Sequence, residues 1–199
     1  ANSTRLLPSL MKDNISFGDA GLAEKLVDSS FADHAGADSL GWMAGFVSFA
    51  EACAYPLCVS NMETPGCPLI YVNQPFCKLW GYSRVDVLGR NCRFLQGERT
   101  EPSAAAAVLY ALRNGVDLHV PITNYTRAGA CVRNLLSLLH ISDRDGCRSL
   151  CVGMHVDMDG QHREGALLWR QRVWDVFPRA FGKSPVATAK SSGGNAPSS

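Results

Sequence analysis

The apolar positions of this chain change period several times along its length, and each change marks an element. Over Asp38–Ala52 they recur at helical spacing, with Met43, Val47 and Ala50 able to share a face and Phe46 and Phe49 forming an i, i+3 pair. Ala20–Phe31 carries the same period through Leu22 and Leu26, whereas Ala1–Asp19 is unpatterned. Short apolar runs at Pro56–Asn61 and Pro68–Val72 read as two strands joined by a Pro65-Gly66 turn. Asn73 is placed to cap a helix over Gln74–Leu79, with Pro75 in its first turn and Gly81 ending it. Ser83 followed by Asp86 predicts a short turn of helix that Gly89 closes. A long helix opens at Thr100 or Glu101, passes through Ala104–Ala107 and stops at Asn114 before Gly115. Asp117–Tyr125, Ala130–His140 and Arg148–Asp157 read as three strands, turning at Ala128-Gly129 and Asp143–Gly146. Helical spacing returns over Gln161–Phe177, with Trp169, Val173 and Val176 on one face, and Ser184–Ser199 has the small, polar composition of a disordered tail.

Two strands, a helical segment and three more strands make an α+β layer fold: a five-stranded antiparallel sheet with helices on one face, plus flanking helices at both ends. The expected organisation is an N-terminal helical extension over residues 1–54, a core domain over 55–160, a C-terminal helix over 161–183 and a tail over 184–199.

Composition narrows the function classes. A chain of 199 residues holds one core of ordinary size. Its 19 basic against 18 acidic residues leave a charge of +1, which supplies no field for nucleic acid or an acidic membrane. No apolar run is long enough to cross a bilayer, and no basic-then-apolar leader opens the chain, so a soluble cytoplasmic or nuclear protein is expected. The cysteines (Cys53, Cys58, Cys67, Cys77, Cys92, Cys131, Cys147 and Cys151) are too sparse for a disulfide scaffold. They form no Cys-x-x-Cys pair, so no metal is expected and most read as reduced core thiols.

The segment richest in chemistry is Gly89-Arg90-Asn91-Cys92-Arg93-Phe94-Leu95-Gln96. It sets one thiol between an amide and a guanidinium and contains no carboxylate. Arg93 offers a fork of donors suited to phosphate, and the amides of Asn91 and Gln96 can read the edge of a heteroaromatic ring. A thiol near its reference pKa of about 8.5 is mostly protonated at neutral pH, a suitable resting state if a neighbour becomes electrophilic on demand. By composition alone, the favoured reading is Cys92 as a small buried hydrophobe and Arg93 as a solvated helix residue, because a lone cysteine in a polar helix has no unique chemistry.

This octapeptide resembles the signature of the light-oxygen-voltage (LOV) branch of the PAS superfamily, the flavin photoreceptor domains typified by phototropins. Leu69-Ile70-Tyr71-Val72-Asn73 and Gly81-Tyr82-Ser83 before it, and Asn124-Tyr125-Thr126-Arg127-Ala128-Gly129 after it, extend the resemblance over about Pro56 to Gly160. The resemblance implies a PAS fold holding flavin mononucleotide (FMN) with its ring over Cys92. Under blue light the Cys92 sulfur would bond flavin carbon 4a while nitrogen 5 gains a proton, and the bond would break again in the dark. The flavin carries the hard chemistry and the protein supplies distance and orientation.

Other roles follow from the same resemblance. Arg93 matches a phosphate-binding arginine, Gln96 a glutamine on the ribityl chain, Asn91 a residue positioning flavin and backbone, and Asn124 and Asn134 the amides bonding the pyrimidine side of the ring. Two amides inside strands also point to a shared polar ligand, since buried amides are costly unless paired. Val59, Leu95, Val108, Leu112, Leu136 and Leu138 are expected to wall the apolar half of the pocket. The chain departs from the family in four places. Leu109 stands where a second phosphate arginine is frequent, with Arg113 one turn later as a substitute. Cys67 replaces an asparagine and Ser60 a threonine near the flavin side chain. His155 replaces the glutamine beside flavin nitrogen 5, and as a residue that can change tautomer or protonation across physiological pH it is expected to act as a relay or a base.

The function implied is a blue-light sensory module, not an enzyme in the turnover sense, that passes its signal through the sheet to the flanking helices. Their rearrangement could alter a homodimer contact or act on an effector outside this chain. Two other readings stay open from the residues: a flavin redox protein in which Cys92 is incidental, and a non-photoactive PAS interaction module.

Overall fold

The computed structural model describes residues 39–143 and 149–181. The expected helix over Ala20–Phe31, the turn beyond Asp143 and the tail from Ser184 lie outside the described residues. In chain order the elements are α1 (Ser39–Ala52), β1 (Leu57–Asn61), β2 (Leu69–Val72), α2 (Gln74–Trp80), α3 (Arg84–Val87), a 3₁₀ turn (Cys92–Leu95), α4 (Pro102–Asn114), β3 (Leu118–Tyr125), β4 (Cys131–Asp143), β5 (Ser149–Asp157), α5 (Arg163–Val176) and β6 (Ala180–Phe181).

The strands form an antiparallel sheet in the order β2-β1-β5-β4-β3. A sixth strand is an addition to the expected five: β6 pairs in parallel with the end of β4, at Ser142 and Asp143. The C-terminal helix therefore ends before the sheet is rejoined. Phe177 precedes Pro178, and the residue before a proline is driven out of the α region; Phe177 is extended, at φ −70° and ψ 134°.

Strand alternation makes the sheet a two-sided partition. Along β5, Cys151, Gly153 and His155 line a cavity on one side, while Leu150, Val152 and Met154 enter the core on the other. Along β1, Cys58 and Ser60 face the cavity, and Leu57 and Val59 face away. Val59 was expected in the pocket wall. Its place between two cavity-facing residues puts it on the opposite face.

Helix α4 and the 3₁₀ turn contribute residues to the cavity side, and α1 and α5 cover the reverse side through an aromatic cluster. The buried stripe of α1 is Trp42, Phe46, Phe49 and Ala50, with Met43 only partly buried against it. Phe49 stacks on Trp169 at 6.0 Å, Trp42 stacks on Phe46 at 5.5 Å, and Phe177 meets Phe49 edge-on at 5.2 Å. Trp169 and Val173 of α5 are buried there.

Asn73 joins this layer to the cavity side. As N-cap of α2 its Oδ1 accepts from the Phe76 N–H at 3.1 Å and from the Leu57 N–H at 2.9 Å. Its Nδ2 donates to the carbonyls of Ala50 at 3.1 Å and Tyr55 at 2.8 Å. One fully satisfied, buried amide thus ties the end of α1, the start of β1 and the start of α2 together.

Candidate functional site

The cavity is a narrow space of about 70 Å³, smaller than the roughly 300–1,000 Å³ of small-molecule sites, so the case for a ligand rests on the residues that line it. Its lining takes in Cys92, Asn91, Arg93, Leu95 and Gln96 from the 3₁₀ turn and its borders, Val108 and Leu112 from α4, and Ser60 and Cys67 from the β1–β2 hairpin. Asn124, Leu136, Leu138 and His155 complete the predicted residues that it gathers.

Besides Val59, three predicted residues are not part of that lining. Leu109 is 47% exposed on α4. Arg113, in the last turn of α4, is likewise exposed and outside it. Asn134 is fully buried but stands one step behind Asn124. Sequence reasoning also missed Cys58, Ile122, Cys151 and Gly153, which the cavity includes. The signal was available: each lies two or four residues along a strand from a residue already placed in the pocket, hence on the same face.

The 3₁₀ turn is held by Asn91. Its Oδ1 accepts from the Arg93 N–H at 2.9 Å as an N-cap, and its Nδ2 donates to the Gly66 carbonyl. With the Leu69 N–H donating to the Arg90 carbonyl at 2.8 Å, this fastens Cys92 against the β1–β2 hairpin. Cys67, at φ 47°, occupies left-handed backbone beside Gly66 at φ 88°, a region that asparagine tolerates better than cysteine.

The polar end is a hydrogen-bond chain whose direction is fixed by the backbone. Val156 N–H can only donate, and it donates to Asn134 Oδ1 at 3.2 Å. Asn134 Nδ2 therefore faces the other way, donating to Asn124 Oδ1 at 2.9 Å and to His155 Nδ1 at 3.0 Å. Asn124 Nδ2 in turn donates to the Leu95 carbonyl at 3.3 Å. His155 Nδ1 is thus an acceptor, and the ring hydrogen sits on Nε2, 3.6 Å from Cys58 Sγ. Phe76 and Trp80 hold the imidazole edge-on at 5.3 and 5.5 Å.

Burial pushes the His155 pKa down from the usual 6.5 to about 3. No carboxylate lines the cavity to offset it. With its pKa held that low by burial and its Nδ1 accepting from Asn134, His155 is neutral at physiological pH in this structure, with its hydrogen on Nε2. The same neighbourhood raises the Cys58 thiol well above the ordinary range, through its hydrogen bond with Cys92 and then through burial. Burial likewise raises Cys151.

Gly153 permits this packing. A Cβ there would stand 2.7 Å from Cys58 Sγ and 3.5 Å from His155 Nε2. Among the described residues the guanidinium of Arg93 and the side-chain amide of Gln96 have no hydrogen-bonding partner and border the cavity. An apolar wall, amides at one end and a free cation fork at the mouth are the donor set of a flat heteroaromatic ligand bearing an anionic tail.

Comparison with known proteins agrees with this chemistry. The family described as PAS domain matches residues 56–159. The chain is 40% identical over 104 residues to "Blue-light-activated histidine kinase 2" of Erythrobacter litoralis (strain HTCC2594), covering 52% of this chain and 30% of that protein. It is 37% identical over 107 residues to "Phototropin-2" of Oryza sativa subsp. japonica, covering 54% of this chain and 12% of that one. The chain thus spans less than a third of either curated relative. Among solved structures, the LOV domain from Erythrobacter litoralis EL346 blue-light activated histidine kinase superposes with a TM-score of 0.50 at 42% identity, over 52% of this chain and 95% of that domain. With the octapeptide around Cys92 at the cavity and the fold matching in element order, the chain belongs to the PAS domain family, in its light-oxygen-voltage branch.

Proposed function

We propose that this chain is a blue-light sensory module that binds FMN and responds through reversible bonding of the Cys92 sulfur to the flavin ring. The observation that carries the reading is the placement of Cys92 at a cavity whose lining also holds Asn124 and His155, with Asn134 hydrogen-bonded to both from behind. The flavin supplies light absorption and an electrophilic ring carbon. Arg93 holds the phosphate at the mouth as a single guanidinium, since Leu109 is neutral and exposed. Gln96 bonds the ribityl chain, Asn124 the ring edge, and Val108, Leu112, Ile122, Leu136 and Leu138 exclude water. Asn134 positions Asn124 and His155 instead of meeting the ligand.

The sheet carries the response outward. A shift of His155 moves β5, whose neighbouring residue Met154 packs in the core beneath α1 and α5. Those helices are the output surface, and a homodimer or an effector beyond these residues is the partner the fold leaves room for. Only a few kcal/mol of differential stability are needed for such a shift. Among the described residues no helix is long and apolar enough to cross a membrane.

Absorbance of the FMN-loaded chain before and after a blue flash tests the reading. Loss of the blue band with full recovery in the dark, absent in Cys92→Ala, is the expected result. Bleaching that persists in Cys92→Ala would show redox chemistry instead.

A further inference from the structure

Folding gathers donors that the sequence scatters. Cys58 Sγ, Cys92 Sγ and a ring nitrogen of His155 all lie within 4.8 Å of one another. Cys58 and His155 are buried, Cys92 borders the cavity, and Cys67 and Cys151 line the same space. We propose that Cys58 and Cys92 form a site for a soft, low-coordinate cation of the copper(I) class, with His155 donating a hydrogen bond to the sulfur and not serving as a ligand.

Three observations select this ligand class. First, a metal–thiolate bond of about 2.3 Å sets two sulfurs astride one ion at about 4.6 Å or less, within reach of the present separation. A disulfide would require closure to about 2.05 Å. Second, no carboxylate lines the cavity, which removes hard cations such as magnesium and calcium. Third, the hydrogen-bond chain from Val156 through Asn134 leaves the hydrogen of His155 on Nε2, so the lone pair that a Cys₂His zinc site would need is not on offer. Two thiolates alone satisfy copper(I).

Binding is an exchange without redox change: two thiol protons leave to solvent as one monovalent ion enters, giving a pair of bonds and a net charge of one negative. The Nε2–H of His155 and the backbone of Gly153, both beside Cys58 Sγ, stabilise that charge. One consequence rests on the photoreceptor reading. A Cys92 sulfur held by an ion cannot add to the flavin, so a soft cation would silence the light response.

The test uses the whole 199-residue chain, FMN-loaded, dark and anaerobic. It is titrated with cuprous ion against a cuprous chelator and, in parallel, with zinc. Pulse alkylation and peptide mapping follow. The expected result is one cuprous ion per chain, protection of Cys58 and Cys92 together, and weakening by about a hundredfold or more in Cys58→Val and in Cys92→Ala. Cys131→Ser, an exposed thiol, should change nothing, and His155→Gln should weaken binding by about tenfold or less. Unprotected Cys58 or Cys92 in the wild-type chain would overturn the site without recourse to any variant. Tighter binding of zinc, lost in His155→Gln, would overturn the ligand assignment. Flash bleaching is recorded on the same samples: bleaching that stays complete with the ion bound refutes silencing. A chain that binds the ion yet never bleached without it refutes the photoreceptor reading and leaves the site standing.

Discussion

Acid should destabilise this protein through His155, by an amount that follows from its surroundings. The folded pKa of about 3 lies below the ordinary 6.5, so between those values the unfolded chain holds a proton that the folded chain does not. Stability then rises with pH: it is fully present above about pH 6.5 and is lost as pH falls toward 3, at about 1.4 kcal/mol per pH unit. From about pH 7 to about pH 5 the loss is about 2 kcal/mol, a large share of the ordinary 5–15 kcal/mol of a folded domain. Burial also lowers His119 and His140, so their slopes carry the same sign and the wild-type curve alone does not isolate one residue. His155→Gln does, because glutamine does not titrate. Urea unfolding followed by tryptophan fluorescence, at several pH values in that window, should show wild type losing about 2 kcal/mol more than the variant. Parallel curves would refute the buried, neutral imidazole and with it the fixed polarity of the Asn124, Asn134 and His155 chain.

Other outcomes follow from single contacts. Gly153→Ala places a Cβ 2.7 Å from Cys58 Sγ, and the overpacking should cost about 1–3 kcal/mol by urea denaturation. Cys67→Asn should relieve the left-handed backbone at φ 47° and gain up to about 1 kcal/mol, read as a melting temperature about 2–4 °C higher. Phe49→Ala, at the stack with Trp169, should cost about 3–5 kcal/mol and loosen α5, visible as faster amide exchange over Arg163–Val176. Arg93→Ala should weaken FMN binding by about tenfold or more and flatten its salt dependence, with riboflavin affinity unchanged, because only the phosphate loses its partner.

Much of this was legible in the residues. Asn73, Pro75 and Gly81 bound α2 as their chemistry requires, with Gly81 at φ 74°, and Gly115 closes α4 at φ 62°. The octapeptide around Cys92 located the cavity because it bundles thiol, amide and guanidinium in one turn. The face of α1 was legible in part: Ala50 and the Phe46, Phe49 pair are buried as spacing indicated, but Met43 and Val47 are only partly so, and the buried stripe takes in Trp42, which like Phe46 has an aromatic partner in Phe177. β6 escaped notice since two residues carry no period, and its pairing depends on where Pro178 ends α5. Cys58 was hidden for a different reason. Its weight comes from Cys92 and His155, 34 and 97 positions away in the chain, and only the β1–β5 pairing of Cys58 with Gly153 brings them together. The tautomer of His155 was likewise set by a backbone N–H on its own strand, through an asparagine on the next.

The central claim is that light changes the bonding of one particular sulfur. Light-minus-dark infrared difference spectra of the FMN-loaded chain in the S–H stretching region test it most directly. The account predicts loss of one S–H band on illumination and its return in the dark, abolished in Cys92→Ala and retained in Cys58→Val. A flavin band that bleaches while every S–H band stays in place would contradict it.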